Sequence, residues 1–245
     1  MRDVIQSLWI GPELSVMERL SIGSFLAHGH PFHLYTYDDV LGVPEGADVR
    51  DANEILPASM IFQYAGHPSY AGFANHFRYK LMLDRGGWWS DVDSVCLRPF
   101  AFDSAYVFSS EVHEGKQYVN NGTIRAPAGS AAFAHAWRLC SETDPSQLRW
   151  GEMGPRLIAR LIPQFGLDDC IQPAKTFCPI GYDDWELLLS PDPPPIPDDA
   201  YAIHLWNEMW RRAGRDKNAV YDPSCLYEQL KARYLGGRGV KTRHD

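Results

Sequence analysis

Asn75-His76-Phe77-Arg78-Tyr79-Lys80-Leu81-Met82-Leu83-Asp84-Arg85-Gly86-Gly87-Trp88-Trp89-Ser90-Asp91-Val92-Asp93 places a helix, its stop and a strand in succession. Tyr70, Phe73, Phe77 and Leu81 recur on one stripe, which predicts a helix over 70–85. Gly86-Gly87 ends it, because glycine accepts the left-handed backbone that closes a helix. A strand is expected at 88–93, and on a strand Asp91 and Asp93 point to one face. Asn75 lies one turn before Arg78, so the helix presents both together.

Outward from this block the pattern alternates. Residues 4–10 read as a buried strand closed by Gly11-Pro12, 14–28 as a helix stopped at Gly29, and 32–37 as a second strand. Strand, helix and strand at this spacing predict a βαβ unit in a parallel α/β sheet. Extended pieces are expected at 95–98, 105–112 and 116–126, and helices at 130–140 and 150–162. Pro191 to Pro197 must be a surface connection. Tyr201 to Trp206 reads as a strand and 223–234 as a last helix. The reading is one domain over 1–235 with a flexible basic tail over 236–245.

At 245 residues the chain can bury roughly 70% of its unfolded surface. Hydrophobic residues at 45% and charged residues at 22% exclude a wholly disordered chain. A net charge of −8 argues against nucleic acid as a partner. No apolar run reaches the roughly 18 residues of a membrane helix. The charged Arg2-Asp3 at the start predicts no export signal. The five cysteines are odd in number and lack CxxC spacing, which points to reduced thiols rather than zinc or disulfides. A cytoplasmic location is expected. Lys231, Arg233, Arg238, Lys241 and Arg243 could touch an anionic membrane, or be a solvated terminus.

Paired carboxylates at Asp91-x-Asp93 make a hard oxygen site for a divalent cation that also holds phosphate oxygens. Alone, such a pair is as readily a solvated strand end. Arg78 could grip phosphate, carboxylate or sugar hydroxyls with its guanidinium fork, or form an ion pair with Asp91. A Mg²⁺-dependent nucleotidyltransferase or phosphatase is one reading of these residues, although neither a P-loop nor a GxGxxG is present. A non-catalytic sugar- or nucleotide-binding module is another.

In this arrangement the chain resembles glycosyltransferase family 32, the glycosyltransferases with a DXD-containing sugar-binding region, which include an α-1,4-galactosyltransferase. The matching residues are Ile5-Gln6-Ser7-Leu8-Trp9-Ile10-Gly11 and Phe77-Arg78-Tyr79 through Asp93. Asn120-Asn121-Gly122, Gly154-Pro155 and Ala202-Ile203-His204-Leu205-Trp206-Asn207 match as well. The resemblance implies a GT-A fold, a Rossmann-like mixed sheet flanked by helices. It also implies a metal-dependent, retaining transfer of a hexose from a nucleotide-diphosphate sugar, a UDP-sugar before GDP-mannose. The acceptor would be a saccharide, a lipid-linked glycan or a protein.

By position, Trp9 would stack on the nucleotide base, unless it is core. Arg78 and Asp91 would bind the donor, and Asp93, with Asp91 and His204, would hold Mn²⁺ or Mg²⁺. Arg78, Asp91 and Asp93 are thus the catalytic candidates. Trp206 and Asn207 are candidates for the diphosphate or acceptor side. Asn121 would line the donor pocket, with a plain turn at 120–122 as the competing reading. The family usually has Ser-Asp where this chain has Ala74-Asn75, so the sugar preference is open. Trp88-Trp89 could stack on a sugar, with one of the pair in the core. Glu152 could be an acceptor-side base or a solvated helix start, and Asp183-Asp184 is expected in a loop.

Overall fold

In a computed structural model of the chain, residues 2–65 and 68–236 are described. Strand β1 (Ile5–Trp9), helix α1 (Val16–Ala27) and strand β2 (Phe32–Thr36) form the expected βαβ unit, with β1 and β2 parallel. A capping box starts α1: Met17 N–H donates to the Ser15 hydroxyl, and Ser15 N–H donates to Glu18 at 2.7 Å. Strand β3 (Ala47–Asp51) adds to β2 in parallel. It was not foreseen, because Ala-Asp-Val-Arg-Asp is polar and lies at the sheet edge.

Helix α2 (Ala71–Asp84) leads through Gly86 and Gly87 into β4 (Gly87–Ser90), which pairs with the free side of β1 in parallel. Strands β5 (Ser94–Cys96), β6 (Val107–His113) and β7 (Lys116–Ala126) follow. Among the described residues the main sheet runs β3-β2-β1-β4-β7-β6, with β7 antiparallel to both β4 and β6. Helices α3 (Ala131–Glu142) and α4 (Pro155–Gln164) come next. Strand β8 (Ala202–His204) pairs with β5 in a second, two-stranded sheet, and helices α5 (Asn207–Arg212) and α6 (Leu226–Leu235) end the fold. The architecture is the mixed, Rossmann-like α/β sheet that the sequence predicts.

Both faces of the sheet are covered. Ile5, Phe25, Leu34, Trp88, Phe177 and Trp210 share one core. Leu8, Tyr35, Phe77, Leu81, Trp89 and Phe133 share the other. Alternation along β4 sends Trp88 to the first and Trp89 to the second, so both indoles are buried and neither is open to a sugar face. Asp183 and Asp184 lie in a 3-10 helix over Tyr182–Leu189, not in a loop. There Asp183 accepts from Glu114 N–H at 3.1 Å and pairs with His113 at 2.9 Å. Of the basic tail, Lys231 is tied to Glu228 at 2.6 Å and the Arg233 guanidinium lies over the Tyr234 ring at 5.0 Å. Arg238, Lys241 and Arg243 lie outside the described residues. Among the described residues no helix is long and apolar enough to cross a membrane.

Two features of α2 set testable costs. Gly86 has φ of +62°, and a Cβ there would lie 2.3 Å from the Ala128 nitrogen. Gly86→Ala should therefore destabilise the fold by about 3 kcal/mol, read by urea unfolding, from left-handed strain plus overpacking. His76 is 3% exposed, packs on Phe62, and its Nε2 has no hydrogen-bond partner among the described residues. Burial lowers its pKa to about 4. The folded state thus favours neutral His76, a contribution complete above pH 6.5 and lost as pH falls toward 4, worth about 3 kcal/mol. His76→Leu should flatten the stability–pH slope in that window, and an unchanged slope would refute the assignment.

Candidate active site

The strand order switches between β1 and β4, and open α/β sheets bind ligands in the crevice beyond the C-terminal strand ends at such a point. Asp91 and Asp93 lie there, in the turn between β4 and β5 rather than on the strand. Strand geometry therefore does not align them. Asp91 N–H donates to Gly122 O at 2.8 Å, and Ser94 N–H folds back to Asp91 O at 3.1 Å. The β5–β8 register sets His204 opposite Ser94, and Leu205 N–H donates to Asp93 O at 2.8 Å. These backbone bonds bring ligand atoms of Asp91, Asp93 and His204 within 4.8 Å of one another.

Arg78 holds the first carboxylate. Its Nη2 donates to Asp91 Oδ1 at 2.6 Å, its Nη1 donates to Asn121 O, and its guanidinium lies 4.6 Å from the Trp89 ring centre. The Trp89 indole N–H also donates to Asp91 Oδ1, at 2.8 Å. Both hydrogen bonds fall on the same oxygen. The ion-pair role of Arg78 is therefore met, and its Nε is a buried donor without a partner among the described residues.

Asp93 Oδ1 faces His204 Nε2 at 3.2 Å, and its Oδ2 accepts the N–H of Asn207, which opens α5, at 2.9 Å. Trp206 stacks on His204, with centroids 4.1 Å apart, and donates its indole N–H to Ile180 O. It is buried behind the histidine, and its backbone takes a left-handed turn at φ +59°. Trp206 thus orients His204 rather than presenting a free surface to a ligand.

Charges are balanced unevenly. Burial pushes Asp91 above its ordinary pKa; Arg78 opposes this and the neighbouring Asp93 charge adds to it. Burial also acts upward on Asp93, but the His204 charge and the bonds from His204 and Asn207 outweigh it and hold Asp93 below the ordinary value. Burial alone would lower His204; the Asp93 charge and hydrogen bond raise it well above 6.5 instead.

Strand β7 supplies the floor. Asn120, Asn121 and Gly122 lie inside it, so the turn reading fails; they sit where the β6–β7 register shifts, just before the residues that pair with β4. Asn121 Nδ2 donates to Asn75 Oδ1 at 2.7 Å and to the Tyr79 hydroxyl at 3.3 Å. The two asparagines are thus joined beside Arg78. Asn120 accepts from Ser109 and Gly122 N–H, and donates to Glu111 at 3.2 Å and Cys178 at 3.5 Å. Cys178 Sγ lies 3.9 Å from His204 Nδ1. Sequence reading missed Cys178, Glu111 and Tyr79. None has a motif, and only the fold brings them near. Gly122 has a plainer role: a Cβ there would sit 3.3 Å from both Asp91 Oδ2 and His204 Cε1. Its lack of a side chain leaves the space between the triad and the strand open.

The outer candidates are less closely joined to the centre. Trp9 is half-buried at the end of β1, with its Nε1 unpartnered among the described residues. Its ring packs on the first core and 5.9 Å from Lys217 Nζ. Glu152 accepts from Arg149 N–H at 3.1 Å in the turn before α4, a local turn contact, and α4 itself has no side-chain cap.

Two carboxylates and an imidazole within mutual reach, with the space at Gly122 kept clear, form a donor set that fits a divalent cation. Removing Arg78 should leave Asp91 half-buried and unpaired. Arg78→Ala is expected to cost about 3 kcal/mol in urea unfolding, and Arg78→Lys less, because an ammonium keeps a charge beside Asp91 although it cannot span Asp91 and Asn121 together.

Residues 146–234 match the family model described as the alpha 1,4-glycosyltransferase conserved region, a span that includes β8, His204 and α5. No curated protein is significantly similar in sequence. Among solved structures, one titled PaToxG glycosyltransferase has a TM-score of 0.52 at 16% identity, over 69% of this chain and 72% of that one. A transferase mutant gives a TM-score of 0.43 at 10% identity, over 76% and 89%. Over its C-terminal part the chain is thus similar to the alpha 1,4-glycosyltransferases, and its fold is shared with a solved glycosyltransferase.

Proposed function

We propose that the chain is a metal-dependent, retaining hexosyltransferase that uses a nucleotide-diphosphate sugar, a UDP-sugar before GDP-mannose, and a saccharide, lipid-linked glycan or protein acceptor. The observation that carries this reading is the convergence of Asp91, Asp93 and His204 over the bare Gly122. These three side chains would hold Mn²⁺ or Mg²⁺. The cation would supply Lewis-acid neutralisation of the diphosphate leaving group, so that no protein acid is needed there.

The chain's own groups bind and orient. Arg78 is fixed by Asp91, Asn121 and the Trp89 face, so its charge is preset beside Asp91, where the donor would bind. Such a preset cation stabilises developing negative charge without reorganising. Asn75, locked by Asn121, offers an amide where the family offers a carboxylate, so it reads sugar hydroxyls without adding charge beside Arg78. Trp9, at the end of β1, would take the base. Asn207 anchors α5 to Asp93, and Trp206 keeps the His204 ring in place. No protein nucleophile is assigned. The five cysteines are free, in keeping with a reducing, cytoplasmic location.

Nucleotide release measured across UDP-glucose, UDP-galactose, N-acetylated UDP-sugars and GDP-mannose with Mn²⁺ tests the reading. One donor should be hydrolysed slowly, and EDTA or Asp93→Ala should lower its release at least about 100-fold. Gly122→Ala should weaken Mn²⁺ binding in calorimetry, since the new methyl enters the space between Asp91 and His204. Asn75→Asp should change the ratio of kcat/KM among donors. Neither release nor Mn²⁺-dependent nucleotide binding in the wild type would leave a binding module instead.

A further inference from the structure

We propose that the protein carries a second ligand site, for a small oxyanion such as an organic phosphate or carboxylate, at the end of the sheet opposite the Asp91–Asp93 crevice. A cavity of about 580 Å³ opens there, between the start of β1, the start of β4 and the end of β7. This volume is in the range of ligand pockets. Gly87 borders it, and four residues of extended chain, roughly 13 Å, separate Gly87 from Asp91. It is therefore not part of the donor crevice, and the proposal does not depend on the function assigned to that crevice.

The cavity has a buried polar floor. The Tyr35 hydroxyl donates to Gln6 Oε1 at 3.4 Å, Gln6 Nε2 donates to Gly86 O at 2.7 Å, and both side chains are about 5% exposed. A floor made only for packing would be apolar, as the neighbouring Leu8 and Phe77 are.

The walls carry unspent cationic donors. Arg125 makes three hydrogen bonds, to Asp3, Phe102 O and Ser104 O, and the Trp88 indole takes a further share of Asp3. That pair cancels itself. Arg85 is different: it spends one Nη2 on Glu54 at 3.3 Å. Arg50 spends one Nη2 on Asp48 at 2.5 Å, and its Nε is out of solvent with no partner among the described residues. Both guanidinium groups line the cavity, with Asp3, Glu54 and Arg125, and both act electrostatically on the Tyr35 hydroxyl in its floor. Two guanidinium forks with free N–H groups, facing one cavity, match the paired oxygens of a phosphate or carboxylate.

Inorganic pyrophosphate and citrate, each titrated with EDTA present, are suitable probes, read by the backbone amide signals of the full chain. The amides of Gly86 and Gly87 should shift saturably, with a Kd of about 1 mM or tighter, while that of Gly122 stays still. The tighter probe tells whether phosphate or carboxylate is the better match. Arg50→Gln with Arg85→Gln removes two exposed side chains whose surface ion pairs contribute little to folding. The double variant should weaken binding at least about tenfold, and Asp93→Ala should leave it unchanged. Absence of saturable shifts at Gly86 and Gly87 in the wild type would overturn the proposal. So would equal binding by the double variant, or shifts confined to Gly122.

Discussion

The Arg78 guanidinium ties together parts of the chain that are far apart in sequence. It arises from α2, holds a carboxylate just past β4, caps a carbonyl inside β7 and rests on the Trp89 ring. A buried cation needs such company, since desolvation costs several kcal/mol for each unpaired ion. The arrangement that satisfies Arg78 also sets the position of Asp91. The helix, the turn after β4 and the strand at the floor of the crevice are thus held by one side chain.

The second half of the site is held by backbone rather than charge. Asp93 and His204 lie 111 residues apart in sequence, and the antiparallel β5–β8 pair brings them side by side. Asn207 N–H and the Trp206 ring then limit where each can move. The crevice is thus formed where a parallel sheet changes direction, with a small antiparallel ribbon attached at its mouth. A glycine in β7 leaves that junction open. The opposite end of the sheet is less filled, and a polar floor with arginine walls lies there.

Much of this was legible in the chain itself. Apolar stripes marked α1, α2 and the strands on both sides of them, because burial against two cores imposes helical or alternating periods. Glycine pairs and the proline run marked where elements stop. Short or polar elements were not legible. Strand β3 is an exposed edge, α5 is only six residues long, and the 3-10 helix carrying Asp183 has no sharp signature. Asn120-Asn121-Gly122 has the composition of a turn, yet it lies inside a strand, at the register shift between two paired stretches.

The candidate site divides in the same way. Sequence alone determined the βαβ frame and the order of Arg78 and Asp91-x-Asp93, and the family resemblance added His204 as a third ligand candidate. These are local patterns, or strings whose order along the chain suffices. Tertiary structure alone decided that Asp91 and Asp93 converge through a turn, that Trp206 backs His204, and that Trp88 and Trp89 are closed to ligands. It alone gathered Cys178, Glu111 and Tyr79 around the centre. The physical reason is that periodicity encodes which face of an element is buried. Which distant side chains meet is set by strand register and backbone hydrogen bonds, and these form only when the sheet closes.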